Sequence, residues 1–389
     1  MSQSLEMNRL RYTASLLEAD GLGLKGEKID FRDVITLPWP QTADFLKTRL
    51  ANLISGVSIL DRDGPYGMFN RHDATHIDNV NKFSHLLLDQ YERVTGRELT
   101  NTQRNITTSV SLLHDVGNNL KRKGHGELSA ALFSKIFRNY SEDDPVIRSI
   151  LTGIRVHDEP YGTTFKDLRN IEKQFPGIYP EPIWAVTISD KLDIGRHRLS
   201  IALENKMPIT FDRIVEETPH TLVILYAKSN ALTFSPDGKE AFWSIGFSTS
   251  IADEENEYIK AILEHFVWKD RDIYVPREWH LKWKEADIPY STSYLGNMRQ
   301  LYCNRLAIMF SSIYALFREL EVVRLTVSDD KPYIGSQVIS EFRRDNWQDI
   351  LFMIWKKSNK ENYRIGLVKP PPILALGEKH YEERKGYTT

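Results

Sequence analysis

The chain has 389 residues, of which 41% are hydrophobic and 27% are charged, a balance typical of a globular chain of about two domains. Its formal net charge of −2 excludes an extended nucleic-acid-binding surface, because such surfaces are basic. The single cysteine, Cys303, excludes an intrachain disulfide and a cysteine-based metal cluster.

The N-terminal segment, residues 1–59, is predicted to be a helical extension that packs on the domain after it. Leu46 and Leu50 belong to its apolar helical pattern. The start, Met1–Met7, has neither the basic residues nor the apolar core of a signal peptide. The most apolar later run, Leu306–Phe317, is too short to span a bilayer. We therefore expect a cytoplasmic protein without membrane contact.

Two histidines, His72 and His76, flank the start of the next predicted helix. His76 continues an apolar stripe with Val80 and Leu87, so its ring is expected to point inward, where a metal could bind. His72 precedes the helix, and Asp73 is its predicted N-cap. The alternative is a core histidine at position 76 with a backbone partner, and the choice between the two histidines as a ligand stays open.

The stretch 111–117 ends a buried helix with two adjacent ionisable residues, His114 and Asp115. An apolar stripe that includes Val110 leads directly to this pair, and Gly117 is predicted to let the chain turn away. Desolvating two ionisable groups is costly unless something compensates, and a divalent cation would do so. The structural alternative is that His114 bonds a backbone carbonyl and Asp115 caps the next segment.

Three later helices also place a metal-type ligand at the end of an apolar face: His125, His157 and Asp190. The helix of His157 is predicted to begin at Pro145. Imidazoles and carboxylates without thiolates suit Mn, Fe, Co, Ni or Zn, and Mg where oxygen ligands dominate. Because this many protein ligands exceed the need of one catalytic ion, we predict two divalent metal ions bridged by a carboxylate, for which Asp115 is the candidate.

The order of these motifs resembles the HD-domain superfamily of metal-dependent phosphohydrolases, over about residues 60–200. The motifs that carry the resemblance are His-Ile-Asp-Asn-Val, Leu-Leu-His-Asp-Val-Gly, His-Gly-Glu-Leu-Ser-Ala, Val-His-Asp-Glu and Ser-Asp-Lys-Leu-Asp. The resemblance implies an all-helical domain that hydrolyses a phosphate ester of a nucleotide or cyclic (di)nucleotide with metal-activated water.

The resemblance also assigns the metal ligands. It gives a first ion to four residues, His76, His114, Asp115 and Asp190. It gives a second ion to the two extra histidines, His125 and His157.

The implied reaction needs groups that act on the water and neutralise phosphate oxygens. Asp115 and Lys191 are the candidate catalytic residues. Charge-assisted contacts orient phosphate groups, so the candidate substrate-binding residues are Lys121, Arg122, Arg155 and Lys191. Each of these cations could equally lie on the surface. The cyclic-dinucleotide branch usually has a lysine where this chain has Asn118, so the substrate within the class stays open.

The pattern changes after the all-helical domain at 60–204, and residues 205–389 are predicted to form a mixed α+β accessory domain with a mobile tail. The fold class is therefore α+β. Strands are predicted at 221–226, 231–234, 242–247, 321–327 and 350–355, with a turn at 228–230 and a long helix at 294–320. This half carries no ligand set, and it could shape the pocket, sense a ligand or mediate homo-oligomerisation.

Two further function classes remain open beside the phosphohydrolase. Some relatives with the same six-ligand set are di-iron oxygenases. A non-catalytic nucleotide-binding regulatory protein is the other alternative, although the intact ligand set argues against it.

Overall fold

The fold is α+β, as the sequence predicts: the described part up to residue 194 is helical except for one short pair of parallel strands, and a four-stranded sheet follows. The computed structural model describes residues 28–51, 53–54, 72–119, 124–157, 176–194, 198, 227–247, 306–329, 337–358 and 365. The predicted domain boundaries after residues 59 and 204 lie outside these ranges. No described helix is both long and apolar enough to cross a membrane.

The first described elements are a short strand, β1 (Ile29–Asp30), and two helices, α1 (Phe31–Thr36) and α2 (Trp39–Arg49). Strand β1 pairs in parallel with β2 (Phe137–Arg138). The ring of Phe31 lies 5.5 Å from that of Phe137, between centroids. These elements therefore belong to the same hydrophobic core as the helices that follow.

Helix α3 (Ala74–Thr95) begins and ends at clear signals. Asp73 caps its N-terminus, because the carboxylate accepts hydrogen bonds from the N–H groups of Thr75 at 3.0 Å and His76 at 3.3 Å. Gly96 ends it with a φ of 67°, a conformation that glycine adopts without a steric penalty. The predicted N-cap is confirmed, and it fixes His76 in the first turn.

Helix α4 (Asn101–Leu113) lies at the centre of the helical part. Thr100 and Gln103 form a capping box at its start, and every residue from 104 to 113 is buried. Helices α2 and α3, together with α6 (Pro145–His157) and α7 (Pro180–Leu192), pack around it. The central helix therefore places His114 and Asp115, which follow it directly, in the interior.

A 3₁₀ helix (Val116–Asn119) follows α4 and contacts α5 (His125–Ile136). Gly117 is needed here for space: a Cβ atom on it would lie 2.2 Å from the carbonyl oxygen of His125 and 2.6 Å from the backbone nitrogen of Ser129. Ser129 Oγ accepts a hydrogen bond from the N–H of Gly117 at 2.7 Å and donates one to the carbonyl of His114 at 2.6 Å. The start of α5 is thus held directly against the end of α4.

The C-terminal sheet has the strand order β3-β4-β5-β6. Strands β4 and β5 are parallel, and both outer pairs are antiparallel. The elements are β3 (Ala227–Phe234), β4 (Glu240–Phe247), α8 (306–316), β5 (Val322–Asp329), β6 (Gln337–Arg343) and α9 (Trp347–Ser358).

Two of the predicted elements in this half are wrong. Residues 228–230 lie within β3 instead of forming a turn, and the connection to β4 is at 235–239, where Ser235 Oγ accepts a hydrogen bond from the N–H of Glu240 at 2.9 Å. Residues 350–355 belong to α9, because a short apolar run fits a helix as well as a strand. The predicted strand 221–226 and the first part of the helix 294–320 lie outside the described residues.

The sheet packs on the C-terminal half of α3. The ring of Phe317 stacks on Phe234 of β3 at 4.0 Å and lies 6.0 Å from Tyr91 of α3, between centroids. A Cβ atom on Gly238 would lie 2.1 Å from a methyl carbon of Val94. This close approach fixes the turn between β3 and β4 against the helix.

Candidate metal centre

His76 is fully buried, and its ring orientation is fixed from behind. Its Nδ1 lies 2.6 Å from Asp193 Oδ2, and because a carboxylate only accepts, Nδ1 carries the proton. Arg198 Nη1 lies 2.7 Å from Nδ1 and 3.4 Å from Nε2, so it sits beside the ring instead of beyond Nδ1. The Nε2 lone pair is therefore turned toward the interior of the cluster.

His114 and His157 are anchored in the same way at the ends of their helices. His114 Nδ1 donates to the carbonyl of Ser111 at 2.7 Å, and His157 Nδ1 donates to that of Ile154 at 2.5 Å. Both acceptors belong to last-turn carbonyls, which lack partners within a helix. The alternative prediction for His114, a hydrogen bond to a backbone carbonyl, is thus correct for its Nδ1 atom. In both histidines this arrangement leaves the Nε2 lone pair available to bind a metal ion.

Asp115 lies between two pairs of histidines. Its Oδ2 is 3.3 Å from the Nε2 atoms of both His76 and His114. Its Oδ1 is 3.1 Å from His125 Nε2 and 3.5 Å from His157 Nε2. The two oxygens of one carboxylate therefore divide four imidazoles into two pairs.

Two neighbours orient the carboxylates of the cluster. Asn118 Nδ2 donates a hydrogen bond to Asp115 Oδ1 at 2.9 Å. Lys191 Nζ donates to Asp190 Oδ2 at 2.9 Å and to the carbonyl of His157 at 3.0 Å. This leaves Asp190 Oδ1 directed at His76 Nε2, at 3.4 Å.

The protonation states fit a set of metal ligands. Burial would raise the pKa of Asp115, but nearby imidazoles, His114 foremost, hold it well below its usual range. Burial would also raise the pKa of Asp190, but the Lys191 ammonium holds it well below its usual range. Burial lowers the pKa of His157 to about 4, so this ring is neutral at pH 7. Both carboxylates are ionised, as ligands must be.

The centre of the cluster is strongly anionic. Burial and the Arg198 guanidinium lower the pKa of His76, but the three surrounding carboxylates, Asp115, Asp190 and Asp193, outweigh them and raise it to about 10. An imidazole that holds a proton this tightly marks a position that favours positive charge. A divalent cation can take the place of that proton.

The donor atoms fit a metal ion better than they fit one another. Asp115 Oδ2 is buried and makes no hydrogen bond within the described residues, although two imidazole nitrogens are close to it. His76 Nε2 and His114 Nε2 lie 3.4 Å apart, and His125 Nε2 and His157 Nε2 lie 2.9 Å apart. Two compact buried groups could hold a metal ion: His76, His114 and Asp190, and His114, Asp115 and His157.

The other predicted site residues are placed differently. Arg155 lies at the surface, where its Nε donates to Glu127 of α5 at 3.1 Å, and it is not brought into the cluster. Lys121 and Arg122 lie outside the described residues. His72 Nε2 accepts a hydrogen bond from Arg198 Nη2 at 3.0 Å, so His72 lies beside the cluster, while His76 is in it.

Several residues that hold the candidate ligands in position were not predicted from the sequence. Asp193 and Arg198 hold His76, and Ser129 ties α5 to the carbonyl of His114. The sequence did contain a signal for Asp193, since this residue follows Asp190 by three residues in the Ser-Asp-Lys-Leu-Asp motif.

No family model, no curated protein and no solved structure matches this chain.

Proposed function

We propose that this protein is a binuclear metal-dependent phosphohydrolase that cleaves a phosphate ester of a nucleotide or a cyclic (di)nucleotide. The observation that carries the proposal is the position of Asp115, whose two carboxylate oxygens face two different pairs of histidines. A carboxylate placed in this way is suited to bridge two ions. The resemblance of the motifs to HD-type phosphohydrolases supports the same assignment.

The residues divide between the two ions as follows. The first ion would be held by His76, His114, Asp115 and Asp190. The second would be held by His125 and His157, with Asp115 shared. When bound, two such ions would polarise a phosphoryl group and lower the pKa of a bound water molecule toward neutrality. The imidazole and carboxylate donors suit Mn, Fe, Co, Ni, Zn or Mg.

The protein's own side chains keep these donors in place. Lys191 is committed to Asp190 and to the carbonyl of His157, so we assign it a role in orienting the ligand in preference to direct contact with the phosphate. The phosphate-binding role then falls to Lys121 and Arg122, which precede the helix that begins at His125. Arg155 is a weaker candidate because it is paired with Glu127.

The charge balance supports an anionic substrate. In the described part of the chain, the carboxylates of Asp115, Asp190 and Asp193 face the buried cations Lys191 and Arg198, which leaves one net negative charge that a second proton on His76 balances. Two divalent ions in place of that proton would bring the net charge to about +3, and a buried net charge needs a counter-charge. A phosphate ester supplies that counter-charge.

The proposal is tested by the metal content and activity of the purified protein. We expect about two divalent ions per chain and release of phosphate or a nucleoside monophosphate from nucleotide esters in the presence of manganese. His114→Ala should bind less metal than wild type and lose hydrolysis, because His114 belongs to both groups of residues that could hold an ion. His85→Ala is the matched control, since His85 is also buried but contacts Thr108 instead of the cluster.

The other outcomes identify the alternatives. Iron in the protein together with oxygen consumption, and no hydrolysis of any phosphate ester, would show an oxygenase. Equilibrium binding of a nucleotide without product formation in any of the metals would show a regulatory binding protein. Equal metal content in wild type and His114→Ala would contradict the metal centre itself.

A further inference from the structure

One side chain of the C-terminal sheet, Asn230 of β3, reaches the end of α7. Asn230 Nδ2 donates a hydrogen bond to the carbonyl of Leu192, and Oδ1 accepts one from Trp243 Nε1 of β4 at 2.7 Å. Both ends of the amide are engaged, so its orientation is fixed. The sheet thereby caps the final carbonyl of a helix that belongs to the other half of the molecule.

Leu192 occupies a sensitive position in the metal centre. It is the last residue of α7 and lies between Lys191, which orients Asp190, and Asp193, which holds His76. Its carbonyl has no partner within the helix and is satisfied by Asn230 and by the N–H of Ile194 at 2.8 Å. A displacement of this carbonyl would therefore move both carboxylates.

Apolar packing is incomplete at the same junction. A cavity of about 230 Å³ lies between α3, the end of α7 and β3, and Phe83, Leu192 and Leu232 are among its lining residues. Because side chains do not fill this space, dispersion contacts between the strand and the end of α7 are fewer here. The hydrogen bond from Asn230 to the carbonyl of Leu192 joins two residues that line the cavity.

We propose that Asn230 is a positioning residue for the metal centre, and that the C-terminal sheet is part of the scaffold that fixes Asp190 and Asp193. The proposal rests on the metal binding proposed above. Loss of groups that orient metal ligands weakens binding by about 10- to 100-fold. We therefore expect a sheet residue that touches no ligand directly to control metal affinity.

Titration of the full-length, metal-free protein with Co²⁺ tests this proposal, because the visible spectrum of Co²⁺ reports ligand geometry. Asn230→Ala should raise the apparent Kd for Co²⁺ by about ten-fold and change the spectrum. In the metal-free protein, the amide protons of Asp193 and Ile194 should exchange with solvent faster than in wild type. Trp243→Phe, which removes the donor to Asn230 and keeps a smaller aromatic ring, should give a smaller change in the same direction.

Gln90→Ala is the matched control. Gln90 lines the same cavity, but its side chain accepts a hydrogen bond from Arg93 and is not the side chain that bonds the end of α7. Wild-type affinity, spectrum and exchange in Asn230→Ala would overturn the proposal, as would an equal loss of affinity in Gln90→Ala. Should Asn230→Ala not fold, Trp243→Phe decides by the same readouts. Should wild type bind no Co²⁺, the metal proposal fails, and the exchange rates alone show whether Asn230 fixes the end of α7.

Discussion

Among the residues that the structure describes, Asp115 is the one side chain whose carboxylate oxygens lie near both pairs of histidines, and its replacement should have the widest effect. In Asp115→Ala we expect both ions to be lost and hydrolysis to be abolished, because neither pair keeps its shared oxygen. His157→Ala should retain about one ion, since the residues around His76 are untouched. Metal analysis per chain, with far-ultraviolet circular dichroism as a check of folding, measures both results.

The comparison of the metal content of Asp115→Ala with that of His157→Ala tests whether Asp115 bridges the two ions. Were Asp115→Ala to retain as many ions as His157→Ala, the carboxylate would not be a bridge. Near-normal turnover in Asp115→Ala would remove the binuclear mechanism altogether.

A second residue-scale prediction concerns His85, which lies outside the metal centre. His85 is buried, stacks on Trp39 with 4.0 Å between ring centroids, and bonds Thr108 Oγ1 at 2.9 Å. Burial, together with the charge of Arg104, lowers its pKa to about 3. Below its ordinary pKa of 6.5, the unfolded chain binds a proton here that the folded chain does not, so stability falls as the pH drops.

This linkage is worth about 2 kcal/mol at about pH 5. His85→Phe keeps a ring on Trp39 but cannot titrate, so its free energy of unfolding should fall less than that of wild type between about pH 7.5 and about pH 5. Urea unfolding of the metal-free proteins measures the difference, and the titrations of all other groups cancel in it. An identical pH dependence in the two proteins would show that His85 is not the group responsible.

The residue types at the site were accessible from the sequence, but their supporting partners were not. A histidine at the end of an apolar stripe signals an inward ring, which identified His114 and His157. Arg198 gave no such signal, because its role depends on a contact with His76 across 122 positions in the chain. The types of the candidate ligand residues can be recognised from the local sequence, whereas the partners that orient them are brought together only by the packing of the folded chain.

At the scale of elements, the close contact between the 3₁₀ helix and α5 depends on the absence of a side chain at Gly117. A Cβ atom on Gly117 would lie 2.2 Å from the backbone oxygen of His125, so Gly117→Ala must displace the start of α5. We expect a loss of about 1–3 kcal/mol in the free energy of unfolding and weaker binding of the ion at His125. Thermal or urea unfolding and metal analysis measure the two effects.

Gly96→Ala is the comparison for this variant. Gly96 has a φ of 67° and nothing within 4 Å of an added Cβ atom, so its replacement costs about 1 kcal/mol of backbone strain and leaves the cluster untouched. A loss of metal from Gly96→Ala that equals that from Gly117→Ala would mean that general destabilisation, and not the position of α5, is the cause.

Most helices could be predicted because their stripes and start signals are local. Asp73 and Pro145 were correct as helix starts for this reason. The sheet was harder, since residues 228–230 read as a turn but lie in β3, where Ser229 and Asn230 pair with β4 through contacts that the local sequence does not contain. For α9, a short apolar run left the choice between helix and strand to the tertiary packing.

At the scale of the whole molecule, the candidate metal ligands lie in helices α3, α5, α6 and α7 or directly after α4, and they meet only in the folded chain. A cation that binds the folded form alone stabilises it by about 2.7 kcal/mol at a concentration 100 times its Kd. We therefore expect a chelator to lower the Tm of the wild-type protein and manganese to restore it. In Asp115→Ala the Tm should not respond to either treatment, and a response equal to that of wild type would contradict the proposed site.

The anchoring of three of the imidazoles, those of His76, His114 and His157, through Nδ1 has a further consequence for metal selection in the cell. Rings held by Asp193 and by the carbonyls of Ser111 and Ile154 offer preset nitrogen donors to any ion of suitable size. Nitrogen-rich sites of this kind bind later transition metals more tightly than manganese or iron. Cellular supply, and not intrinsic affinity, would then decide which ion is loaded. The ion retained after purification need not be the one that supports the fastest turnover.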